Sequence, residues 1–167
     1  MSIRLERSSV AGFEAAAIDN AALRVVVVPE LGAKVTELID KAAQRDVLWH
    51  NPRTPPRRSP YGAHFDDWWS GGWDEIFPSG DRGVLHGETL PYMGEMWAVP
   101  WSSRSWTDGV EAFIETTGLA TIAPARMTRL LSVRVDEPVV RAHYVIENLD
   151  VRPLPFVWGI HPAFALT

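Results

Sequence analysis

Apolar and polar residues alternate with a period of two along much of this chain, as in half-buried β-strands. Tight hairpin turns are predicted at 20–21 and at Asp108-Gly109. The predicted strands lie at 13–19, 22–29, 34–40, 47–49, 99–107, 110–118, 127–135 and 139–149, with a further extended segment after the turn at 150–153. No segment has the 3.6-residue period of an amphipathic helix. The pattern therefore predicts an all-β fold, either a sandwich or a large curved sheet.

The alternation stops between His50 and about Met96. This region begins with the proline- and arginine-rich stretch "NPRTPPRRSP" and continues through "HFDDWWSGGWDEIFPSGDRGVLHGETLPYMGEMW" without a lasting period. A loop of this length inside a compact domain is unusual and is often functional. We therefore expect the chemistry of the protein to lie in or beside this loop.

The composition is that of one globular domain. The 167 residues are 46% hydrophobic and 22% charged, with a net charge of −5 and no cysteine. A negative net charge does not favour binding to nucleic acid or to an anionic membrane. The absence of cysteine excludes disulfide and thiolate chemistry. The N-terminal residues lack the apolar core of a signal peptide, and no apolar run reaches membrane-spanning length. A cytoplasmic protein is the expectation.

Tryptophan is abundant, with eight in the chain, and five of them fall between Trp68 and Trp101. A flat apolar face with one N–H donor suits a cleft that stacks a sugar ring. The same residues could instead fill the core between two sheets. Both interpretations stay open for each tryptophan.

Two adjacent acids, Asp74 and Glu75, lie between Trp73 and Phe77 in "GGWDEIFPSGD". Carboxylates beside aromatic faces are typical of sugar sites, because the ring stacks through its C–H face while the acids accept hydrogen bonds from hydroxyl groups. A polar loop over a hydrophobic anchor would give the same pattern.

Two histidines have a suggestive context. His86 lies in "LHGE", where Gly87 allows a sharp turn or close approach to a ligand, and His161 is held in an extended segment by Pro162. Imidazole can act as a general acid near neutral pH because its ordinary pKa is about 6.5. From position alone, a structural histidine is the better explanation of His161. No metal-binding spacing is present, so neither a metal nor a cofactor is predicted.

Together these segments resemble the aldose 1-epimerase (galactose mutarotase-like) superfamily, in the order that the family has them. The matching stretches are "AIDNAALRVVVVPELGAKVTELIDKAAQRDVLW", then "GGWDEIFPSG", "LHGE" and the "W..PW" of Trp97 to Trp101, and finally "YVIENLDVRPLPFVWGIHPAFAL". The resemblance runs over nearly the whole chain.

The resemblance implies a β-supersandwich of antiparallel strands and a reaction that interconverts the α and β anomers of a free aldose. A base takes the proton from O1, an acid protonates the ring oxygen O5, and the opened ring recloses after the aldehyde rotates. His161 would be the acid, and His86 would bind and orient the ring. Trp73, Trp97 and Trp101 would line the cleft.

The sequence departs from the family in two places. An Asn-Arg segment that binds substrate in many galactose mutarotases is replaced here, so Asp74, Glu75 or Arg82 would be the substitute contacts. The base in the family is a Glu on a later strand, in a C-terminal half that this sequence lacks. We therefore expect residues 1–167 to form a single, incomplete supersandwich domain that lacks the base for full activity and has open strand edges that favour a homodimer or aggregation.

Two alternatives accompany this prediction. A carbohydrate-binding module of the same fold would use the histidines only as hydrogen-bond partners. A sugar-phosphate epimerase would draw on the basic residues Arg53, Arg57 and Arg58.

Overall fold

The computed structural model describes residues 2–166, and β-strands dominate it. The strands are β1 (Arg4–Val10), β2 (Phe13–Asp19), β3 (Leu23–Val28), β4 (Lys34–Asp40), β5 (Arg45–Asp46), β6 (Trp73–Ile76), β7 (Gly83–Leu85), β8 (Glu88–Leu90), β9 (Ser102–Thr107), β10 (Glu111–Leu119), β11 (Ala125–Arg134), β12 (Val140–Asn148) and β13 (Gly159–Pro162). A 3-10 turn at Pro29–Leu31 and the helix α1 (Phe65–Trp68) are the helical segments of this range. The predicted all-β fold is confirmed.

The strands form two principal sheets. The seven-stranded sheet has the order β1-β2-β3-β4-β6-β13, with β5 paired to β4, and the four-stranded sheet has the order β12-β11-β10-β9. A small hairpin of β7 and β8 stands apart from both. The strand pairs are antiparallel.

The main hydrophobic core lies between the two large sheets. Alternate residues of facing strands meet there, including Val25 and Val27 of β3 with Ile114 of β10 and Leu131 of β11, all fully buried. The opposite face of β3 is buried as well, because Val26 packs with other apolar residues of a second cluster. Strands buried on both faces read as continuous apolar runs, as "VVVV" does.

Both predicted hairpins are confirmed. The side chain of Asn20 accepts hydrogen bonds from the N–H groups of Ala22 and Leu23 between β2 and β3. Asp108 likewise accepts from Val110 and Glu111 between β9 and β10. These local bonds satisfy the turn backbone, which is why Asn and Asp are favoured there.

Other boundaries differ from the sequence prediction. β1 was not predicted, because an edge strand with many exposed positions carries little apolar pattern. The long loop contains β6, whose four residues are all buried and therefore do not alternate. In place of a strand at 47–49, the structure has β5 two residues earlier and an isolated bridge between Leu48 and Phe164.

The helical segments are short. They have three and four residues. Within residues 2–166, no helix has the length and apolar character needed to cross a membrane.

Candidate functional site

His161 lies on β13 directly opposite Asp74 on β6. Residues opposite each other in an antiparallel pair project to the same face of the sheet, with Cβ atoms about 5 Å apart. This face is the outer one, turned away from the four-stranded sheet, since the alternate residue Trp73 belongs to the core between the sheets. The pairing of β6 with β13 therefore brings a carboxylate and an imidazole together.

Aromatic rings surround this imidazole. Phe65 of α1 and Trp69 make edge contacts with the ring of His161, with centroid distances of 5.5 Å and 5.3 Å. Trp97 packs edge-on against Phe65 at 4.9 Å. The long loop thus folds α1 and its flanking residues over the outer face of β6 and β13.

Lys34 on β4 is the third polar side chain of this outer face. Val35 on β4 lies opposite Trp73 on β6, and because the two strands are antiparallel, Lys34 falls beside Asp74. Its Nζ donates to Asp74 Oδ2 at 2.6 Å and to the carbonyl oxygen of Gly71 at 2.9 Å. Lys34, Phe65, Trp69, Asp74 and His161 are called the outer-face cluster below.

Three buried polar atoms of the outer-face cluster have no hydrogen-bond partner among residues 2–166. They are Asp74 Oδ1, His161 Nδ1 and Trp69 Nε1. A buried polar group without a partner costs about 1–3 kcal/mol, and few such groups occur in a folded protein. Two of the three belong to directly opposed residues and the third to a ring that touches His161. Three of the eight such atoms among residues 2–166 therefore belong to the outer-face cluster, which makes it the candidate site.

Glu75 occupies a different environment from Asp74. It is fully buried between the sheets, where its carboxylate accepts hydrogen bonds from Arg129 at 2.9 Å, Tyr144 at 2.7 Å and Trp158 at 3.3 Å. Burial raises the pKa of Glu75, although Arg129 and the two neutral donors act to lower it. Burial and the adjacent carboxylate also raise the pKa of the Tyr144 hydroxyl. These contacts join β6, β11, β12 and the segment before β13.

The predicted tryptophans divide between the two faces of the seven-stranded sheet. Trp73 and Trp101 lie in the core between the sheets, and Trp101 Nε1 donates to the carbonyl oxygen of Met96 at 3.0 Å. Trp97 lies on the outer side with Phe65, and its Nε1 donates to the carbonyl oxygen of Gly94 at 3.1 Å. The structure therefore does not bring Trp73, Trp97 and Trp101 together in one cleft.

His86 lies away from these contacts. It occupies the two-residue turn between β7 and β8 with φ 52°, and its side chain is exposed. Among the described residues, its ring takes no part in the aromatic stacking or hydrogen bonding of the outer-face cluster. The orienting role predicted for His86 stays a prediction. Arg82 is also exposed, in the connection that leads to β7.

A small opening beside the outer-face cluster is lined by Lys34, Phe65 and Trp69 together with Arg57 and Arg58 of the long loop. Both arginines already have partners. The guanidinium of Arg57 lies 3.9 Å from the ring centroid of Trp68, and Arg58 pairs with Glu30 at 2.7 Å. Arg53, the third basic residue of this stretch, does not line the opening.

The loop that carries α1 is anchored by a buried carboxylate. Glu95 accepts a hydrogen bond from the Tyr61 hydroxyl at 2.6 Å and from the N–H groups of Thr121, Ile122 and Ala123. Burial and the Glu95 carboxylate raise the pKa of Tyr61. This contact ties the loop to the turn between β10 and β11 and so positions Phe65 and Trp69.

The sequence pattern does not single out Lys34, Phe65 or Trp69. Lys34 reads as an ordinary polar residue at the start of a strand, and its partner Asp74 lies 40 positions later. The cluster of tryptophans near Trp68 is the one sequence signal that points to Trp69. Within residues 2–166, no three His, Asp or Glu side chains are grouped so that they could hold a metal ion.

The fold matches solved structures at low sequence identity. The Slr1438 protein from Synechocystis sp. PCC 6803 matches with a TM-score of 0.69 and 19% identity, over 98% of this chain and 57% of that one. A galactose mutarotase-like protein from Clostridium acetobutylicum matches with a TM-score of 0.52 and 14% identity, over 78% of this chain and 45% of that one. A TPR-domain containing protein from Parabacteroides distasonis matches with a TM-score of 0.59 and 15% identity, over 80% of this chain and 21% of that one.

These identities establish a shared fold and nothing finer. The chain spans between 21% and 57% of the length of these three proteins. No family model matches the sequence, and a comparison with curated protein sequences finds no significant match.

Proposed function

We propose that this protein binds a free aldose at the outer-face cluster and that His161 donates a proton to the sugar ring oxygen, as the acid of an aldose 1-epimerase reaction. The observation that carries the proposal is the presence, in neighbouring residues of one cluster, of three buried polar atoms without a partner among residues 2–166: Asp74 Oδ1, His161 Nδ1 and Trp69 Nε1. The mutarotase-like fold of the Clostridium acetobutylicum protein supports the same reaction class.

The donors and acceptors of the cluster suit a sugar. Asp74 Oδ1 accepts a hydrogen bond from a hydroxyl group of the sugar, and the Trp69 N–H donates one to a hydroxyl oxygen. The half-buried ring of Trp69 offers apolar surface to the C–H groups of the same ligand. A free aldose has both kinds of surface on one small ring.

In the proposed reaction, the imidazolium of His161 transfers its Nδ1 proton to the ring oxygen as the bond from that oxygen to the anomeric carbon breaks. The O1 proton leaves to a base, and an open-chain aldehyde forms. Rotation about the C1–C2 bond and reclosure in the reverse sense give the other anomer. The resemblance implies a Glu on a later strand as the base. For residues 1–167 a water molecule takes the O1 proton in its place, so the proposal concerns the acid and the binding contacts.

A second candidate function is binding of a carbohydrate without catalysis. The position of His86 favours it. This histidine is exposed in the turn between β7 and β8 and, among residues 2–166, makes none of the contacts of the outer-face cluster, and binding without catalysis needs no orienting imidazole. In this case the same three polar atoms would hold a sugar that leaves unchanged.

Polarimetry combined with saturation-transfer NMR separates the candidates. Freshly dissolved α-D-glucose or α-D-galactose is mixed with the protein, and the approach of optical rotation to equilibrium is compared with that in buffer. Faster exchange together with saturation transfer to the sugar supports the epimerase. Saturation transfer without faster exchange supports the binding module, and neither signal with any free aldose contradicts both. Glucose 6-phosphate in a parallel experiment tests the sugar-phosphate alternative.

A further inference from the structure

Lys34, Asp74 and His161 form a row across three neighbouring strands. Asp74 on β6 is opposite His161 on β13, and Lys34 on β4 lies on its other side. All three side chains project to the outer face. The central carboxylate therefore has a cation on one side and an imidazole on the other.

Lys34 fixes one of the two Asp74 oxygens. Its Nζ is 2.6 Å from Oδ2, and the side chains of Lys34 and Asp74 are only 9% and 0% exposed. A second bond from Nζ to the carbonyl oxygen of Gly71 holds the ammonium group against the turn that leads into β6. With Oδ2 and Nζ both fixed, the orientation of the other oxygen, Oδ1, is also fixed.

The free oxygen and His161 Nδ1 are both buried and both lack a partner among residues 2–166. A carboxylate whose one oxygen is bound by an ammonium group still has its second oxygen as a strong acceptor for another donor.

We infer that Lys34 is a positioning residue, which holds the Asp74 carboxylate and aims its Oδ1 at the position where His161 Nδ1 also meets the ligand. Lys34 then acts on His161 and on the sugar only through Asp74. The part of this inference that concerns the sugar rests on the proposed function, whereas the link from Lys34 to His161 does not.

The test follows the imidazole signals of His161 in long-range 1H–15N NMR spectra without any sugar. Lys34→Met and Asp74→Asn are each expected to shift the His161 ring resonances, while those of the exposed His86 and His143 stay in place. Lys34→Arg, which keeps the charge, is expected to give a smaller shift than Lys34→Met.

A matched control is Lys41→Met. Lys41 pairs with Asp19 at 2.9 Å on a different part of the same sheet, so its removal also breaks a lysine–aspartate pair. No shift of the His161 resonances is expected in this variant. If Lys34→Met proves too unstable to study, the double variant Lys34→Met/Asp74→Asn removes both buried charges and remains informative.

Because Lys34 acts through Asp74, the double variant is expected to shift His161 no further than Asp74→Asn alone. Unchanged His161 resonances in Asp74→Asn, or full additivity in the double variant, would overturn the inference. A protein in which the shifts occur as described but no aldose binds would contradict the proposed function and leave the positioning role of Lys34 supported.

If an aldose does bind, its dissociation constant gives a second measure. Lys34→Met is expected to weaken binding about 10- to 100-fold, as the loss of a hydrogen bond to a charged group does, and to have no further effect in the Asp74→Asn background.

Discussion

Asp74 and Glu75 are consecutive residues of β6 whose carboxylates lie on opposite faces of one sheet. Asp74 binds Lys34 on the outer face, and Glu75 binds Arg129 between the sheets. Both acids are fully buried, yet only Asp74 shares a face with His161. The period of two in a β-strand thus assigns one carboxylate to the candidate site and the other to the interior.

Glu75→Gln is expected to lower the free energy of unfolding by about 3 kcal/mol, because it leaves the buried Arg129 guanidinium without its counter-ion. Urea denaturation measures the change. The matched control is Glu147→Gln, which breaks the exposed pair with Arg126 and is expected to cost less than about 1 kcal/mol. Equal losses in the two variants would contradict the role given to the buried pair.

Gly72→Ala is expected to destabilise the protein by at least about 2 kcal/mol. Gly72 has φ 80°, and a Cβ atom there would lie 2.6 Å from the carbonyl oxygen of Val35. This glycine lets β4 and β6 approach closely enough for Lys34 to reach Asp74. Gly83→Ala is the control, since Gly83 has no atom within 4 Å of an added Cβ. Thermal unfolding should therefore distinguish the two, and similar melting temperatures would contradict the account.

The stability of the protein is expected to depend on pH through Asp19. Burial acts to raise the pKa of Asp19, but the hydrogen bonds and charges of Lys41 and Arg4 prevail and lower it below 3.8. A carboxyl group with a lowered pKa in the folded state contributes stability above its unfolded pKa, and this contribution is lost as pH falls through the folded pKa.

The difference in free energy of unfolding between wild type and Asp19→Asn should therefore be largest above about pH 5 and should shrink toward pH 2. Urea denaturation over this range measures it. Lys41→Met should reduce the pH dependence, since it removes one of the groups that lower the pKa. A difference that grows on acidification would contradict the assignment.

The sequence predicts the strands that have one buried face or a long apolar run. β2, β3, β4, β10, β11 and β12 follow from alternation or from "VVVV", and Asn20 and Asp108 mark two of their turns. β6 could not be predicted, because all four of its residues are buried and tertiary contacts alone hold it in the sheet. Sequence alternation carries no signal for such a strand.

The candidate site is predictable only in part. His161 and Asp74 have sequence contexts that suggest chemistry, but their pairing depends on the register between β6 and β13. The position of Lys34 beside Asp74 depends in addition on the register between β4 and β6. Long-range registers of this kind leave no periodic signal in the sequence. For the same reason, the sequence does not predict which of Asp74 and Glu75 lies on the same face as His161.

The homodimer remains a prediction, and the exposed side of β13 is where we expect it. Ile160 is 49% exposed, and its strand β13 lies at the edge of the seven-stranded sheet. Exposed apolar residues on an open edge favour pairing between chains. We expect sedimentation velocity to detect concentration-dependent association that Ile160→Lys reduces.

Val84→Lys is the control for this experiment, since Val84 is 73% exposed on the separate hairpin of β7 and β8. It is expected to leave association unchanged. A monomer at all concentrations, or equal effects of the two lysine substitutions, would contradict the assignment of the interface to β13.

The central claim is that an aldose reacts at the outer-face cluster with His161 as the acid. The most direct measurement is the rate of exchange between the α and β anomers, followed by two-dimensional NMR exchange spectroscopy in wild type, His161→Ala and His143→Ala. His143 is an exposed histidine of β12 and serves as the control. We predict acceleration by wild type and by His143→Ala, and a fall of about 100-fold or more in His161→Ala. Equal acceleration by wild type and His161→Ala, or an aldose that binds to wild type without faster exchange, would contradict the claim.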